Sequence, residues 1–262
     1  MSSGAGMINC GMISLDEVVK YLDSELKTAT ISDYPGALNG LQLANEGRIC
    51  RVVAAVDASL PVIRKAAEGG PGLLLVHHGM FWQGVQPVTG PFYQKLRIAM
   101  DAGLAIYSSH LPLDVHPQLG NNILLCKALG IMDVHPFFDQ KGLSLGLRGS
   151  WMGERNELEG VLKSVLNGPV HLCPGGPKTV SHIGVITGGA GSEVVKVAST
   201  GVDTFITGEG PHWSYSLAEE LGINVFYGGH YATETFGVKA LAARIAEKSG
   251  IPWEFIDHPT GL

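Results

Sequence analysis

Short apolar, β-branched runs alternate along this chain with Ala-, Lys-, Glu- and Leu-rich stretches of helical period, and Gly or Pro falls between most of them. Ser14 followed by Glu17 forms a capping box, which opens a helix over Leu15–Leu26. The same period predicts helices at Leu60–Glu68, Tyr93–Asp101, Asn121–Leu129, Glu154–Leu166, Glu193–Ser199, Ser214–Leu221 and Thr233–Lys248. Strands are predicted at Arg51–Val56, Leu73–Val76, Leu104–Tyr107, Leu143–Leu147, Ile183–Thr187, Thr204–Thr207, Ile223–Tyr227 and Trp253–Ile256. Such alternation argues an α/β fold whose sheet is largely parallel and carries helices on its faces.

The order of elements repeats. Arg51-Val-Val-Ala-Ala-Val-Asp57 leads through a helix to Leu73-Leu-Leu-Val-His-His-Gly79, and Ser181-His-Ile-Gly-Val-Ile-Thr187 leads through another to Thr204-Phe-Ile-Thr-Gly-Glu-Gly210. Ala102-Gly-Leu-Ala-Ile-Tyr107 then leads to His110-Leu-Pro-Leu-Asp114, as Leu221-Gly-Ile-Asn-Val-Phe226 leads to His230-Tyr-Ala-Thr-Glu234. Any two strand–helix–strand units look alike in their apolar positions. Here the polar residues at the strand ends match as well. Two repeat-related lobes are therefore expected, 15–130 and 131–262, after a loose tail over 1–14 and with the C-terminal helix packing back.

The chain has 262 residues, enough for one large domain or two lobes with a real core. Its formal net charge is -6 and no Lys/Arg block stands out, so direct nucleic-acid binding is not expected. The apolar runs fall far short of the roughly 18–20 residues that cross a bilayer, and the N-terminus shows no export pattern. Cys10, Cys50, Cys126 and Cys173 lie far apart without C-x-x-C spacing, and read as reduced thiols of a cytoplasmic protein.

Chemistry concentrates at the strand ends. His77, His78, His110 and His230 all follow apolar strand runs, and in parallel sheets the carboxyl ends of strands form the ligand crevice. Imidazole nitrogen and carboxylate oxygen are the usual ligands of borderline divalent metals. Neighbouring side chains on a strand point to opposite sides, so His77 and His78 either hold two ions separately or one of them is structural. Asp114 and Glu234 supply negative charge for two cations about 3.5–4 Å apart, with one carboxylate between them.

Other positions carry weaker signals. Glu209 and His212 are acid/base candidates or plain rim residues, and Asn39 and Gln42 are turn and cap candidates. Phe81 and Trp82 either stack on a planar ligand or simply pack. His116 reads as a turn residue, and Gly188-Gly-Ala-Gly191 as a tight turn. Gly142-Leu-Ser-Leu-Gly146 has the letters of a nucleophile elbow but lies within a predicted strand with no helix after it, so it reads as a chance match.

Val76-His-His-Gly-Met-Phe-Trp82, His110-Leu-Pro-Leu-Asp-Val-His-Pro117 with Leu119-Gly-Asn-Asn122, and Phe205-Ile-Thr-Gly-Glu209 with Gly229-His-Tyr-Ala-Thr-Glu234 together resemble one family. It is the YbgI-like dinuclear metal centre family, also called GTP cyclohydrolase I type 2 homologues. The likeness runs from about residue 15 to 257, and Asn39-Gly-Leu-Gln42 fits it too. The chain departs from the pattern at Gly79, where Pro is frequent, and at Leu111-Pro112, where Thr-Asn is frequent. Neither change removes a ligand type.

The resemblance implies metal ligands at His77, His78, Asp114, His230 and Glu234, with His110 at the same site as a ligand or a supporting group. It further implies a three-layer α/β/α fold and a toroidal homohexamer. Two divalent ions per chain (Zn, Fe, Mn, Co or Ni) would make a hydrolase, with a water shared by the ions as the attacking group. A nucleotide, a related cyclic amide or a phosphoester suits such a centre. The competing reading is a metal-binding regulatory or protein-interaction factor without catalysis.

Overall fold

The computed structural model describes residues 11–262; the first ten, with most of the expected tail and Cys10, lie outside the described residues. The first half reads β1 (Ile13–Ser14), α1 (Leu15–Leu26), β2 (Gly40–Leu43), β3 (Arg48–Ile49), β4 (Val52–Asp57), α2 (Leu60–Ala67), β5 (Gly72–His78), α3 (Gly90–Asp101), β6 (Leu104–Ser108), α4 (Leu111–Asp114) and α5 (Asn121–Ala128). The second reads β7 (Met132–Gln140), β8 (Leu143–Glu154), α6 (Arg155–Leu166), β9 (His171–Pro174), β10 (Thr179–Val185), α7 (Val194–Ala198), β11 (Thr204–Thr207), α8 (Trp213–Leu221), β12 (Asn224–Tyr227), α9 (His230–Thr233), α10 (Thr235–Ser249) and β13 (Trp253–Phe255).

Two mixed sheets result. The five-stranded one runs β13-β4-β5-β6-β2 and the six-stranded one β7-β8-β10-β11-β12-β9. At the heart of each lies a parallel triplet, β4-β5-β6 and β10-β11-β12, so the repeat read from the sequence is a repeat of topology. Antiparallel strands flank them: β2 beside β6, β9 beside β12 and β8 beside β10. Ile13 and Ser14, placed in the tail by the sequence, pair with Ile49 and Arg48.

Each triplet is apolar on both sides because helices cover both faces. On the first sheet, Val52, Ala54, Leu73 and Leu75 pack against α1 and α10, whereas Val53, Ala55, Leu74 and Val76 pack against α2 and α3. On the second, Ile183, Val185 and Phe226 meet α5 and α6, while Phe205 and Val225 meet α7 and α8. The architecture is three-layer α/β/α. The halves also trade helices: α10 of the second covers the first sheet, and α5 of the first covers the second. Strand β13 likewise adds to the first sheet, parallel to β4.

Besides the short β1–β3 pair, three strands of the two large sheets escaped the sequence pattern, β2, β7 and β9, and all are at sheet edges. An edge strand is only partly buried and tolerates a proline, as β7 does at Pro136, so apolar alternation fades there. Strand β8 extends well past Leu147 because the hairpin with β7 carries its polar, Gly-rich half. Lys141 and Gly142 form the two-residue turn of that hairpin, both with positive φ (52° and 83°), the conformation that matches strand twist. The elbow-like Gly142–Gly146 run is thus hairpin, as the sequence context argued. Among the described residues no helix is long and apolar enough to cross a membrane.

Because α10 closes one face of the first sheet, Leu241→Ala, at a fully buried position, lowers unfolding free energy by about 2–5 kcal/mol. Met152→Ala, at a position 71% exposed, changes it by less than about 0.5 kcal/mol. Urea denaturation compares the two, and a loss below about 1 kcal/mol at Leu241 would refute a structural role for α10.

Candidate metal centre

The polar residues of the repeat meet where the triplet strands end. Strand β5 delivers His77 and His78; the turns after β6 and β12 deliver His110 and His230. After each of these last two histidines the chain makes one short helix, α4 or α9, so Asp114 and Glu234 follow one turn on. The i,i+4 relation brings His230 Nε2 to 3.1 Å from Glu234 Oε1. Gly188 allows this approach: it turns with φ 71°, and a Cβ there would collide with the Glu234 carboxylate.

Each of the four imidazoles is held at Nδ1. His77 Nδ1–H donates to the Ser109 carbonyl (2.9 Å), and His78 Nδ1–H to Asp57 (2.8 Å). His110 Nδ1–H donates to Asp33 (2.9 Å), and His230 Nδ1–H to Glu209 (2.9 Å). Every partner is an acceptor, so the donor must be the ring, and in the neutral imidazole the lone pair is left on Nε2. This is how metal-ligating histidines are oriented and made more basic.

Three of the Nε2 atoms, those of His77, His78 and His230, face carboxylates. His77 Nε2 lies 3.5 Å from Asp114 Oδ2 and 3.4 Å from Glu234 Oε1, and His78 Nε2 lies 3.3 Å from Glu234 Oε2. His77 is fully buried and Glu234 nearly so, and His77 Nε2 and Glu234 Oε2 are buried without a hydrogen-bond partner. Unpaired buried polar atoms are costly, and two of them facing inward are what a cation would satisfy. His77, His78 and His110 form one group that could hold a metal ion, and His78, His230 and Glu234 form a second. Asp114 stands beside His77, its other oxygen accepting from the Asn121 amide (2.8 Å) and the Thr187 hydroxyl (3.4 Å).

Protonation reports the same crowding. Burial works against charge on His77, but Asp114 and Glu234 outweigh it and push its pKa up to about 10. His230, likewise opposed by burial, is raised to about 9 by Glu234 and Glu209. Burial would raise the Glu234 carboxyl, yet His77 and His230 hold it well below the usual range.

The other sequence candidates separate. Glu209 serves His230, and Asn39 accepts from the His110 backbone N–H (2.8 Å) while donating to Asp33. Gln42 is a cap: it donates to the Ala37 and Leu38 carbonyls and accepts from the Met80 N–H. His116 is a turn residue whose Nδ1 accepts from the Gln118 and Leu119 N–H groups. Phe81 packs on Phe92, whereas Trp82 sets its edge against His78 and His110. His212 is not brought to the cluster; it is exposed at the start of α8 and lines a separate cavity. Asp33 and Asp57 were missed. Asp57 had a signal, being the polar end of an apolar strand in the repeat, but Asp33 lies in a loop that gives none.

Histidine and carboxylate side chains open onto a cleft of about 580 Å³ walled by both halves, including Tyr34, Trp82 and Phe138. These features define an α/β protein with a buried His/carboxylate centre at the mouth of paired parallel sheets. The family described as Duf34/NIF3 (NGG1p interacting factor 3) matches residues 13–260. A Deinococcus radiodurans protein called GTP cyclohydrolase 1 type 2 homolog is 42% identical over 257 residues, 96% of either chain. A Pyrococcus abyssi protein of the same name is 39% identical, covering 94% of this chain and 99% of its own. The solved structure of protein ybgI superimposes with TM-score 0.88 at 33% identity, over 95% of this chain and 100% of that one. TTHA1606 from Thermus thermophilus gives 0.85 at 37% identity, with the same coverage. This chain belongs to the DUF34/NIF3 family.

His77 and His230 hold protons more tightly in the metal-free fold than in the unfolded chain. They therefore stabilise it fully below their ordinary pKa of 6.5, and that contribution is lost as pH rises through about 9 to 10. The melting temperature of chelator-treated protein should fall across this window. Adding a divalent ion at pH 7.5 should release protons into a weakly buffered solution. An alkaline-insensitive melting point with no proton release would refute the coupling.

Proposed function

We propose that this chain is a dinuclear metal-dependent hydrolase of a small molecule, of the class of a nucleotide, a related cyclic amide or a phosphoester. One observation carries the reading: four imidazoles are anchored at Nδ1, and three of them turn Nε2 toward two buried carboxylates, beside a cleft of ligand size. His77, His78, Asp114 and His230 would hold two ions, with Glu234 as the carboxylate they share and His110 Nε2 as a further donor. Divalent ions bound there supply Lewis-acid activation of water and of the scissile group. Zn, Fe, Mn, Co and Ni all suit the ligand set.

The residues of the chain do the rest. Asp33, Asp57 and Glu209 fix the imidazole rings, and Asn121 and Thr187 hold the Asp114 carboxyl in place. Trp82 closes one side of the cluster and leaves His78 and His230 partly exposed to the cleft. That open side favours catalysis over the alternative of a metal-binding regulatory factor, which needs no access. The names of relatives point both ways, one to GTP cyclohydrolase 1 type 2 and one to an interacting factor.

Two measurements test the proposal. Elemental analysis of protein purified without chelator should give close to two divalent ions per chain, and Glu234→Gln, which keeps the size but removes the charge, should lose at least one together with hydrolytic activity. His116→Ala should keep both. Wild-type metal content in Glu234→Gln would refute the bridging role.

We further propose a cytoplasmic homo-oligomer, a toroidal hexamer with the metal centres facing its interior. Apolar side chains left outside on the hairpin, Met132 at 61% and Met152 at 71% exposure, support association. Light scattering should then show a mass well above 27.7 kDa, and a monomer would end the assembly claim alone.

A further inference from the structure

We infer that the cleft is built for a neutral, planar heterocyclic ligand such as a nucleobase or nucleoside, and selects against its triphosphate. The inference rests on the cleft being the substrate site, and narrows the substrate class.

The walls are aromatic. Trp82 stands edge-on to the His110 ring at 4.9 Å between centroids, Tyr34 tilts toward the same ring at 6.1 Å, and Phe138 faces them from the second half. Two backbone features place these rings. Gly36 lets the turn after Tyr34 lie on the Trp82 backbone, whose carbonyl oxygen is 2.8 Å from where a Cβ would stand. Phe138 takes φ 63°, a costly conformation for a bulky side chain, held by the hairpin that presents it. Flat apolar walls above a polar floor suit a ring that stacks and turns its hydrogen-bonding edge toward the metal centre.

The charges point the same way. Among the described residues no lysine or arginine lines the cleft, and the first ten residues contain neither. Lys196 comes close, 5.9 Å over the Phe138 ring, but its ammonium is paired with Glu193 at 2.6 Å. Asp33, Asp57, Asp114, Glu209 and Glu234 put five carboxylates on or behind the imidazoles. Two divalent ions bring four positive charges, so the loaded centre has no surplus with which to hold a polyanion. A triphosphate would add several more negative charges to a site that sequesters carboxylates already, and it would find no guanidinium or ammonium partner.

The test uses binding, so it does not depend on turnover. Metal-loaded full-length protein is titrated with guanosine, adenosine, cytidine and uridine, each against its own 5′-triphosphate, by tryptophan fluorescence and calorimetry. Metal content is checked after each titration. At least one nucleoside should bind about tenfold or more tightly than its triphosphate. Trp82→Ala and Phe138→Ala should each weaken that binding about tenfold with metal content unchanged. If every triphosphate binds as tightly as its nucleoside, if no nucleoside binds, or if both variants bind as wild type does, the inference is overturned. Nucleoside binding by metal-loaded protein that hydrolyses none of a panel of nucleosides, nucleotides, cyclic amides and phosphoesters would sink the hydrolase proposal and leave this one standing.

Discussion

Everything around the centre follows from one buried carboxylate. Glu234 is almost wholly inside the protein, where an unpaired charge costs several kcal/mol, and its oxygens are surrounded by three imidazole nitrogens rather than by backbone N–H donors. Neutral imidazoles offer it lone pairs, which repel; only protons or cations between the groups make the arrangement favourable. The raised pKa values of His77 and His230 are the protonic version of that answer. Metal ions are the other, and two His/carboxylate groups here could hold them.

Assembling this cluster takes both halves of the chain. The first half brings His77, His78, His110 and Asp114; the second brings His230 and Glu234. Their separation is fixed by core packing, since α10 starts directly after Glu234 and is buried on the first sheet. Asn121 ties the two sides once more: its amide donates to Asp114, and its carbonyl oxygen accepts from the Gly237 N–H in α10. Exchange of α5 and α10 between the sheets thus does two jobs, closing both cores and setting the distance between the His-x-x-x-carboxylate turns.

Much of this was legible in the sequence, for stated reasons. The parallel triplets were visible because both faces are buried, which makes their strands continuous apolar runs. The residues of the cluster were visible because they end those runs at matching places in a repeat. What stayed hidden lies where burial is partial or contacts are non-local. Edge strands β2, β7 and β9 carry mixed polar residues, and β8 owes its length to a hairpin partner. Asp33 reaches His110 from a loop with no period at all, across a sequence separation that no local pattern reports. Thr187 could be placed at a strand end, but not its contact with Asp114.

The orienting carboxylates also limit what the site can do. Asp57 and Glu209 would raise the donor strength of His78 and His230 toward a bound cation, yet each adds a negative charge directly behind its ring. His77 is the exception, held by the neutral Ser109 carbonyl, and it is also the most deeply buried ring. A carboxylate behind a fully buried imidazole would need its own neutralising partner, whereas a carbonyl needs none. The acceptors behind the rings therefore follow the depth of the ring: a carbonyl under fully buried His77, and carboxylates behind the partly exposed His78, His110 and His230. Were metal bound, its affinity and the charge of the ligand would be coupled through these acceptors, since each carboxylate that strengthens a histidine leaves less positive charge for an anionic ligand to meet.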